Sequence, residues 1–258
     1  MNKVQEYYTN TYDENKRLGE GCDNRHKVEI INKGHLIKDI FGIVKSINDL
    51  RIGENEPIRI IDVGAGTGFW TDFILKNFDN VEIYCGDLVE KHNDIMRKRF
   101  KDYPNVHVVN IDALKLNNSL YGTFDIVLCG GPLYHLNNED SQKVCNNLLN
   151  VCDERGYILV DWLSEASGNI NWSLMKGHPV KNICDEDKMF YYKDSYIMSY
   201  LFREYEILHY GIDSITRFVA DKINNYTDEE LELWCKNIRK YWNKNADLSE
   251  HSISVIRK

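Results

Sequence analysis

Ile58-Arg59-Ile60-Ile61-Asp62-Val63-Gly64-Ala65-Gly66-Thr67-Gly68 passes without a break from an aliphatic run into a glycine-rich one. A short, nearly continuous apolar run bounded by glycines is the pattern of a strand buried on both faces. Without side chains at Gly64 and Gly66 the backbone can turn sharply and approach a ligand, while Gly68 permits close packing of the next element. That element is helical, because Trp70, Phe73, Ile74 and Phe78 share one face. A bare GxG also serves ordinary tight turns. Its place between a buried strand and a helix is what points to a nucleotide-like ligand.

Working outward, Val81–Asp87 reads as a second strand, followed by a helix through Leu88, His92, Ile95, Met96 and Phe100. Asn105–Asp112 and Phe124–Gly130 supply a third and a fourth strand. Residues 139–152 repeat the helical period through Val144, Leu148 and Val151, and Gly156–Leu163 is a fifth strand. Alternation of this kind predicts an α/β, Rossmann-like fold with a central, mostly parallel sheet flanked by helices. Upstream, Leu36, Ile37, Ile40, Phe41, Val44 and Ile47 predict an amphipathic helix, so residues 1–50 are expected to form an N-terminal helical cap on a domain spanning 51–258. Residues 164–200 are polar, aromatic and poorly periodic, as expected of a lid insertion. Glu204–Ile212 and His251–Lys258 read as two closing strands. Between them Thr227 and Glu230 have the spacing of a capping box ahead of a helix through Leu231, Trp234, Cys235, Ile238 and Trp242.

Asp87 ends the second strand, 23 residues beyond Gly64. A carboxylate there can accept from both hydroxyls of a ribose. This much also admits NAD. Against NAD, the loop lacks a GxGxxG fingerprint in either register: Phe69 stands where a count from Gly64 needs glycine, and Thr71 where a count from Gly66 does.

Composition narrows the partners. With 32 Lys plus Arg against 40 Asp plus Glu, the net charge of -8 gives no broad attraction to a phosphate backbone, and no nucleic-acid partner is expected. The densest basic stretch, Arg97-Lys98-Arg99 with Lys101, continues a helical period and reads as a solvated face. No twenty-residue apolar span and no signal-like N-terminus is present, so a cytoplasmic protein without a membrane partner is expected. Seven scattered cysteines without a CxxC pair favour reduced thiols, and the histidines show no ligand spacing, so no metal is expected.

The motifs taken in order resemble those of class I S-adenosylmethionine (SAM)-dependent methyltransferases. Ile58–Gly68 looks like their first motif, Tyr84–Leu88 like the acidic motif after strand two, and Asp112-Ala113 like the pair that contacts adenine. Phe124–Leu136 resembles the strand-four motif and Cys152–Val160 the turn into strand five; together they run from residue 58 to 162. The usual Lys-Pro-Gly-Gly turn is replaced by Asp153-Glu154-Arg155-Gly156, away from the expected chemistry. A narrower resemblance rests on the opening Tyr7–Leu18, on Lys27–Ile30 around Glu29, on Gly131-Pro132-Leu133-Tyr134-His135-Leu136 and on the closing Ser249–Lys258. Together these look like a bacterial subgroup of small-molecule methyltransferases.

The resemblance implies SAM as cofactor and S-adenosylhomocysteine (SAH) as product. The cofactor would be held by Asp62, Gly64, Ala65, Gly66, Asp87, Leu88, Asp112, Ala113 and Cys129, with Tyr12 and Arg17 of the opening segment folding over its methionine end. Arginine suits a carboxylate through its paired donors; the alternative is that this segment is a self-satisfied surface helix. Methyl transfer from a sulfonium is an in-line displacement, so alignment is the main device. His135 is the candidate base or orienting group, since imidazole accepts protons near neutrality; alternatively it braces its own loop. Tyr134 either shapes the acceptor pocket or supports it. Trp162, Trp172, Phe190, Tyr191, Tyr192, Tyr196 and Tyr200 either cover a flat, aromatic acceptor or pack the insertion. Methylation of RNA or protein, and a non-catalytic nucleotide-binding scaffold, remain the alternatives to a small-molecule acceptor; neither the acceptor nor the oligomeric state is legible.

Overall fold

Seven strands join in one sheet of order β3-β2-β1-β4-β5-β7-β6. In chain order the elements are α1 (Asn24–Arg51), β1 (Ile58–Val63), α2 (Phe69–Asn77), β2 (Val81–Gly86), α3 (Glu90–Arg99), β3 (Val106–Val108), α4 (Asn118–Tyr121), β4 (Phe124–Cys129), α5 (Asn138–Val151), β5 (Cys152–Leu163), α6 (Ser195–Leu201), β6 (Glu206–Gly211), α7 (Asp228–Ile238) and β7 (His251–Arg257). A 3-10 turn, Pro132–His135, follows β4. The computed structural model describes residues 5, 6, 9, 24–51, 56–164, 191, 193–212, 223–238 and 251–258.

β1 to β5 pair in parallel, whereas β7 runs antiparallel between β5 and β6. A dinucleotide-binding sheet continues in parallel as 3-2-1-4-5-6. The reversed strand is therefore a departure that the sequence, which showed only a final strand, did not disclose. Chain order reverses between β1 and β4, and ligands of open α/β sheets bind outside the carboxyl ends of strands at such a switch point.

Residues alternate between two cores. Ile60, Ile83, Leu128 and Leu159 face α1, α2 and α3, while Ile61, Val63, Val127 and Val160 face α5 and α6. α1 lies in the stretch assigned to the cap, yet its Leu36, Ile37, Ile40, Phe41 and Val44 pack into the same core as β1. Its N-terminal half reaches α7 through Val28, Leu231 and Cys235.

Of the aromatic residues that could either cover an acceptor or pack, Trp162 packs. Trp162 is fully buried in the second core, and its Nε1 donates to Ser254 Oγ at 3.0 Å, so it cannot cover an acceptor. Tyr196 and Tyr200 lie exposed on α6. That helix ends the stretch expected to be an irregular lid; Asp194 caps it by accepting from Ile197 N at 2.7 Å, and Met198 and Leu201 are buried in the core that α5 lines. At seven residues it is too short to display a period. Trp172, Phe190 and Tyr192, like Tyr12 and Arg17, lie outside the described residues. The basic stretch is the exposed face expected at Arg97, Lys98 and Lys101, with Arg97 bonding Glu90 and Asp94, while Arg99 donates to the carbonyl of Thr67 in the glycine loop.

Candidate active site

A cavity of about 320 Å³ opens at the β1/β4 switch. Of the residues expected to bind, Gly64, Gly66, Asp87, Leu88, Asp112, Ala113, Tyr134 and His135 line it. Because β3 and β2 lie to one side of β1 and β4 to the other, Asp112 and Asp87 enter from one flank and the Tyr134-His135 turn from the other.

The glycine loop is held by its neighbours. Gly64 N and Ala65 N both donate to Gly86 O, at 2.9 and 3.0 Å, tying the loop to the end of β2. Gly64 has φ +71°, and a Cβ there would stand 2.6 Å from the Pro132 ring, so the first glycine makes room for the turn after β4. Gly66 has φ +56° and meets nothing, leaving its backbone open to a ligand.

Asp87 Oδ2 accepts from Gly66 N and Oδ1 from Val89 N, each at 2.9 Å. His92 Nδ1 lies 3.4 Å from Oδ1. Burial pushes the carboxyl up, but His92 and the two amides outweigh it and hold Asp87 below the usual carboxylate range. Asn93 braces the same corner, its side chain exchanging hydrogen bonds with Asp87 N and O, both at 2.9 Å. A carboxylate has about four lone-pair sites. Two amide bonds, with His92 Nδ1 at the longer 3.4 Å, leave the carboxylate lone-pair capacity for ribose hydroxyl donors.

Asp62, Ala65 and Cys129 do not line the cavity. Asp62 is 2% exposed and accepts from Thr71 Oγ1 at 3.0 Å, and burial pushes its carboxyl up to about 6. Cys129 is buried in the second core, with burial pushing its thiol far above the ordinary value, and the lining passes instead to Gly130 and Gly131. Behind Gly130 stands a buried ion pair, Lys33 of α1 with Asp161 of β5; a Cβ on Gly130 would meet Lys33 Nζ at 3.3 Å. The Lys33 ammonium also lies 4.5 Å from the Trp70 ring centroid.

On the other flank, the Tyr134 hydroxyl lies 3.4 Å from His251 Nδ1, and that nitrogen lies 3.5 Å from Glu29 Oε1. Glu29, the turn 131–136 and the closing strand are three of the four segments behind the narrower resemblance, and they converge at one edge of the cavity. From the N-terminal segment Gln5 also lines the cavity, and Thr9 O accepts from Lys91 Nζ at 3.0 Å.

His92, Asn93, Lys33, Asp161, Glu29 and His251 were not singled out in the sequence as site residues. His92 and Asn93 follow an already suspect acid by five and six positions, a usable signal. The others come together only through the fold. Among the described residues no cluster of metal-ligating side chains occurs, and no helix is long and apolar enough to cross a membrane.

A reversed β7, a glycine loop without a pyrophosphate fingerprint and an acid closing β2 give the chain the fold of class I methyltransferases rather than that of a dinucleotide-binding domain. Residues 60–156 match the family described as a methyltransferase domain. The chain is 28% identical over 186 residues to a malonyl-[acyl-carrier protein] O-methyltransferase of Bacillus cereus, covering 70% of this chain and 66% of that protein. It is 26% identical over 144 residues to a non-reducing polyketide synthase of Penicillium brasilianum, covering 54% of this chain but only 5% of the synthase. Among solved structures, its fold resembles magnesium protoporphyrin IX methyltransferase of Synechocystis with bound SAM (TM-score 0.55, 13% identity, 99% of this chain and 95% of that one). It also resembles phosphoethanolamine N-methyltransferase 1 of Haemonchus contortus in complex with phosphoethanolamine and SAH (TM-score 0.59, 13% identity, 98% and 47%).

Proposed function

We propose that this chain methylates a small-molecule acceptor by in-line displacement, with SAM as donor. The observation that carries the reading is one cavity flanked by Asp87 and Asp112 on one side of the switch point and by Tyr134 and His135 on the other. Bound there, SAM supplies a methyl on a sulfonium, a good leaving group that departs as a neutral thioether. Asp87 takes the ribose hydroxyls, Asp112 and Ala113 the adenine edge, and the Gly64–Gly66 backbone the methionine end. Asp62 and Cys129 act from behind, through the shape of the strand ends they occupy.

The turn Gly131–Leu136 orients the acceptor. Alignment lowers the barrier by removing the entropy of encounter, and a base is needed only when the acceptor atom carries a proton that must leave. His135 takes that proton, while Tyr134, backed by His251 and Glu29, fixes a polar group of the acceptor. With Trp162 buried and neither Tyr196 nor Tyr200 lining the cavity, the support for an aromatic acceptor narrows to the rings of Tyr134 and His135, whose centroids lie 6.4 Å apart. The O-methyltransferase relative favours an oxygen acceptor.

Incubation with methyl-labelled SAM and pooled metabolite, RNA and protein fractions tests the reading. Label is expected in the metabolite pool. Label confined to RNA or protein contradicts it, and SAH binding without transfer to any pool favours a scaffold. His135→Ala should keep SAH affinity within about threefold and lose at least about a hundredfold in turnover, the usual scale of a proton-transfer group. An unchanged pH-rate profile in that variant contradicts the role.

A further inference from the structure

The chain returning to the sheet at residues 191 and 193 is stitched to the acceptor-side turn. Tyr191 N donates to Tyr134 O at 2.7 Å, and Lys193 N donates to Leu163 O at 2.8 Å. Lys193 is 0% exposed. Its Nζ donates to Leu133 O at 3.2 Å and to Leu136 O at 3.0 Å, the carbonyls that bracket Tyr134 and His135. Among the described residues no carboxylate forms an ion pair with it. A buried ammonium is costly unless its hydrogens are well placed. Here its positive charge meets carbonyls at the C-terminal end of a short helical turn, where a cation is favoured.

We propose that Lys193 is a positioning residue whose ammonium fixes the turn Gly131–Leu136, so that Tyr134 and His135 hold their places in the cavity wall most firmly while that side chain is charged. The word acceptor for this wall rests on the methyl-transfer reading above; the anchoring itself does not.

Burial lowers Lys193 to about 8. Of the ionisable groups on the elements around it, Cys145 of α5 is the one whose charge would act on the ammonium. Glu139, Asp140 and Lys143 of α5 pair with one another, Asp161 of β5 pairs with Lys33, Tyr196 and Tyr200 of α6 are exposed, and Tyr134, His135 and Asp194 lie on the turn and beside the lysine. Cys145 is itself pushed up to about 12 by burial and stays a thiol through this range. Asp194 is committed to capping α6. The anchor is therefore strongest below pH 8 and weakens as pH rises through it, because the neutral amine keeps two N–H donors but loses the charge that strengthens their bonds. Global stability responds with the opposite sign: a lysine lowered in the fold gives up its proton more readily there than in the unfolded chain, so its contribution to stability rises between about pH 8 and its unfolded value. A lysine that merely fills space predicts no local loosening.

Hydrogen exchange, corrected for base catalysis, separates the two. Protection of residues 130–137 is compared with that of β1 at pH 6.5 and 9.5 in the wild type, Lys193→Arg and Lys193→Met. The wild type should lose tenfold or more of its relative protection at high pH, the arginine variant should hold it, and the methionine variant should be low throughout. SAH affinity, measured by calorimetry on the same samples, should weaken threefold or more in the wild type over that range and stay flat in the arginine variant. Unchanged wild-type protection, or the same alkaline loss in the arginine variant, overturns the proposal. If a variant fails to fold, the wild-type profile decides. If none of the proteins binds SAH at any pH, the cofactor reading fails while the exchange result still judges the lysine.

Discussion

Asp87 and Asp62 show how two carboxylates at the ends of neighbouring strands, both raised by burial, come to rest on opposite sides of the ordinary value. At Asp87 three donors overcome desolvation, and the group stays charged and faces the cavity. Replacing it by alanine removes a charged acceptor of two hydroxyl bonds, and SAH affinity should fall about 10- to 100-fold, since a hydrogen bond to a charged group contributes roughly 1.5 to 3 kcal/mol. Calorimetry checks this; a loss below threefold contradicts the assignment. At Asp62 a single hydroxyl does not compensate burial, and the carboxyl is pushed up to about 6. A raised carboxyl gives stability that is present below its unfolded value, near 4, and lost as pH rises to about 6. The loss is of the order of 3 kcal/mol at most. Asp62→Asn keeps an acceptor for Thr71 and escapes the penalty, so it should unfold at higher urea than the wild type at pH 7.5 and show no fall between pH 4 and 6. Parallel pH profiles for the two proteins would sink that account.

At the scale of elements, the decisive joints are where remote segments meet. The Lys33-Asp161 pair fastens α1 to the end of β5 directly behind Gly130. Lys33→Ala leaves a carboxylate buried without its cation and should cost about 3 to 5 kcal/mol, whereas exchanging both partners for apolar residues, Lys33→Met with Asp161→Leu, should cost much less. Urea denaturation of the three proteins tests this; equal losses in single and double variants would mean that charge is not what the joint supplies. Gly64 is the joint between the glycine loop and the turn after β4. Gly64→Ala brings a methyl to 2.6 Å from the Pro132 ring at a positive φ, so it should lower both SAH affinity and stability, the latter by roughly 1 to 3 kcal/mol. Wild-type calorimetry and melting in that variant would contradict the contact.

Across the whole molecule, legibility followed the distance in sequence between the residues concerned. β1, the glycine loop and Asp87 could be read because strand, turn and acid are local patterns with a fixed spacing. The alternating strands and helices up to β5 could be read for the same reason. The reversed β7 could not, since antiparallel insertion between β5 and β6 is a matter of pairing, and pairing leaves no trace in the period of one strand. Trp162 stayed open for a related reason: a tryptophan at a strand end looks the same whether its indole faces a ligand or Ser254. The polar side chains of Lys33, Asp161, Lys193, Glu29 and His251 are scattered over the chain, and only the closed sheet brings them around the turn and the glycine loop. The elements from the N-terminal helix to the closing strand thus converge on one crevice at the β1/β4 switch.

A crystal structure of the chain grown with SAH tests that convergence most directly. The account predicts the ribose hydroxyls within about 3 Å of the Asp87 carboxylate, the thioether sulfur between the Gly64–Gly66 backbone and the Tyr134-His135 turn, and the adenine beside Asp112. SAH seated away from this crevice, or Asp87 turned from the ribose, would contradict it.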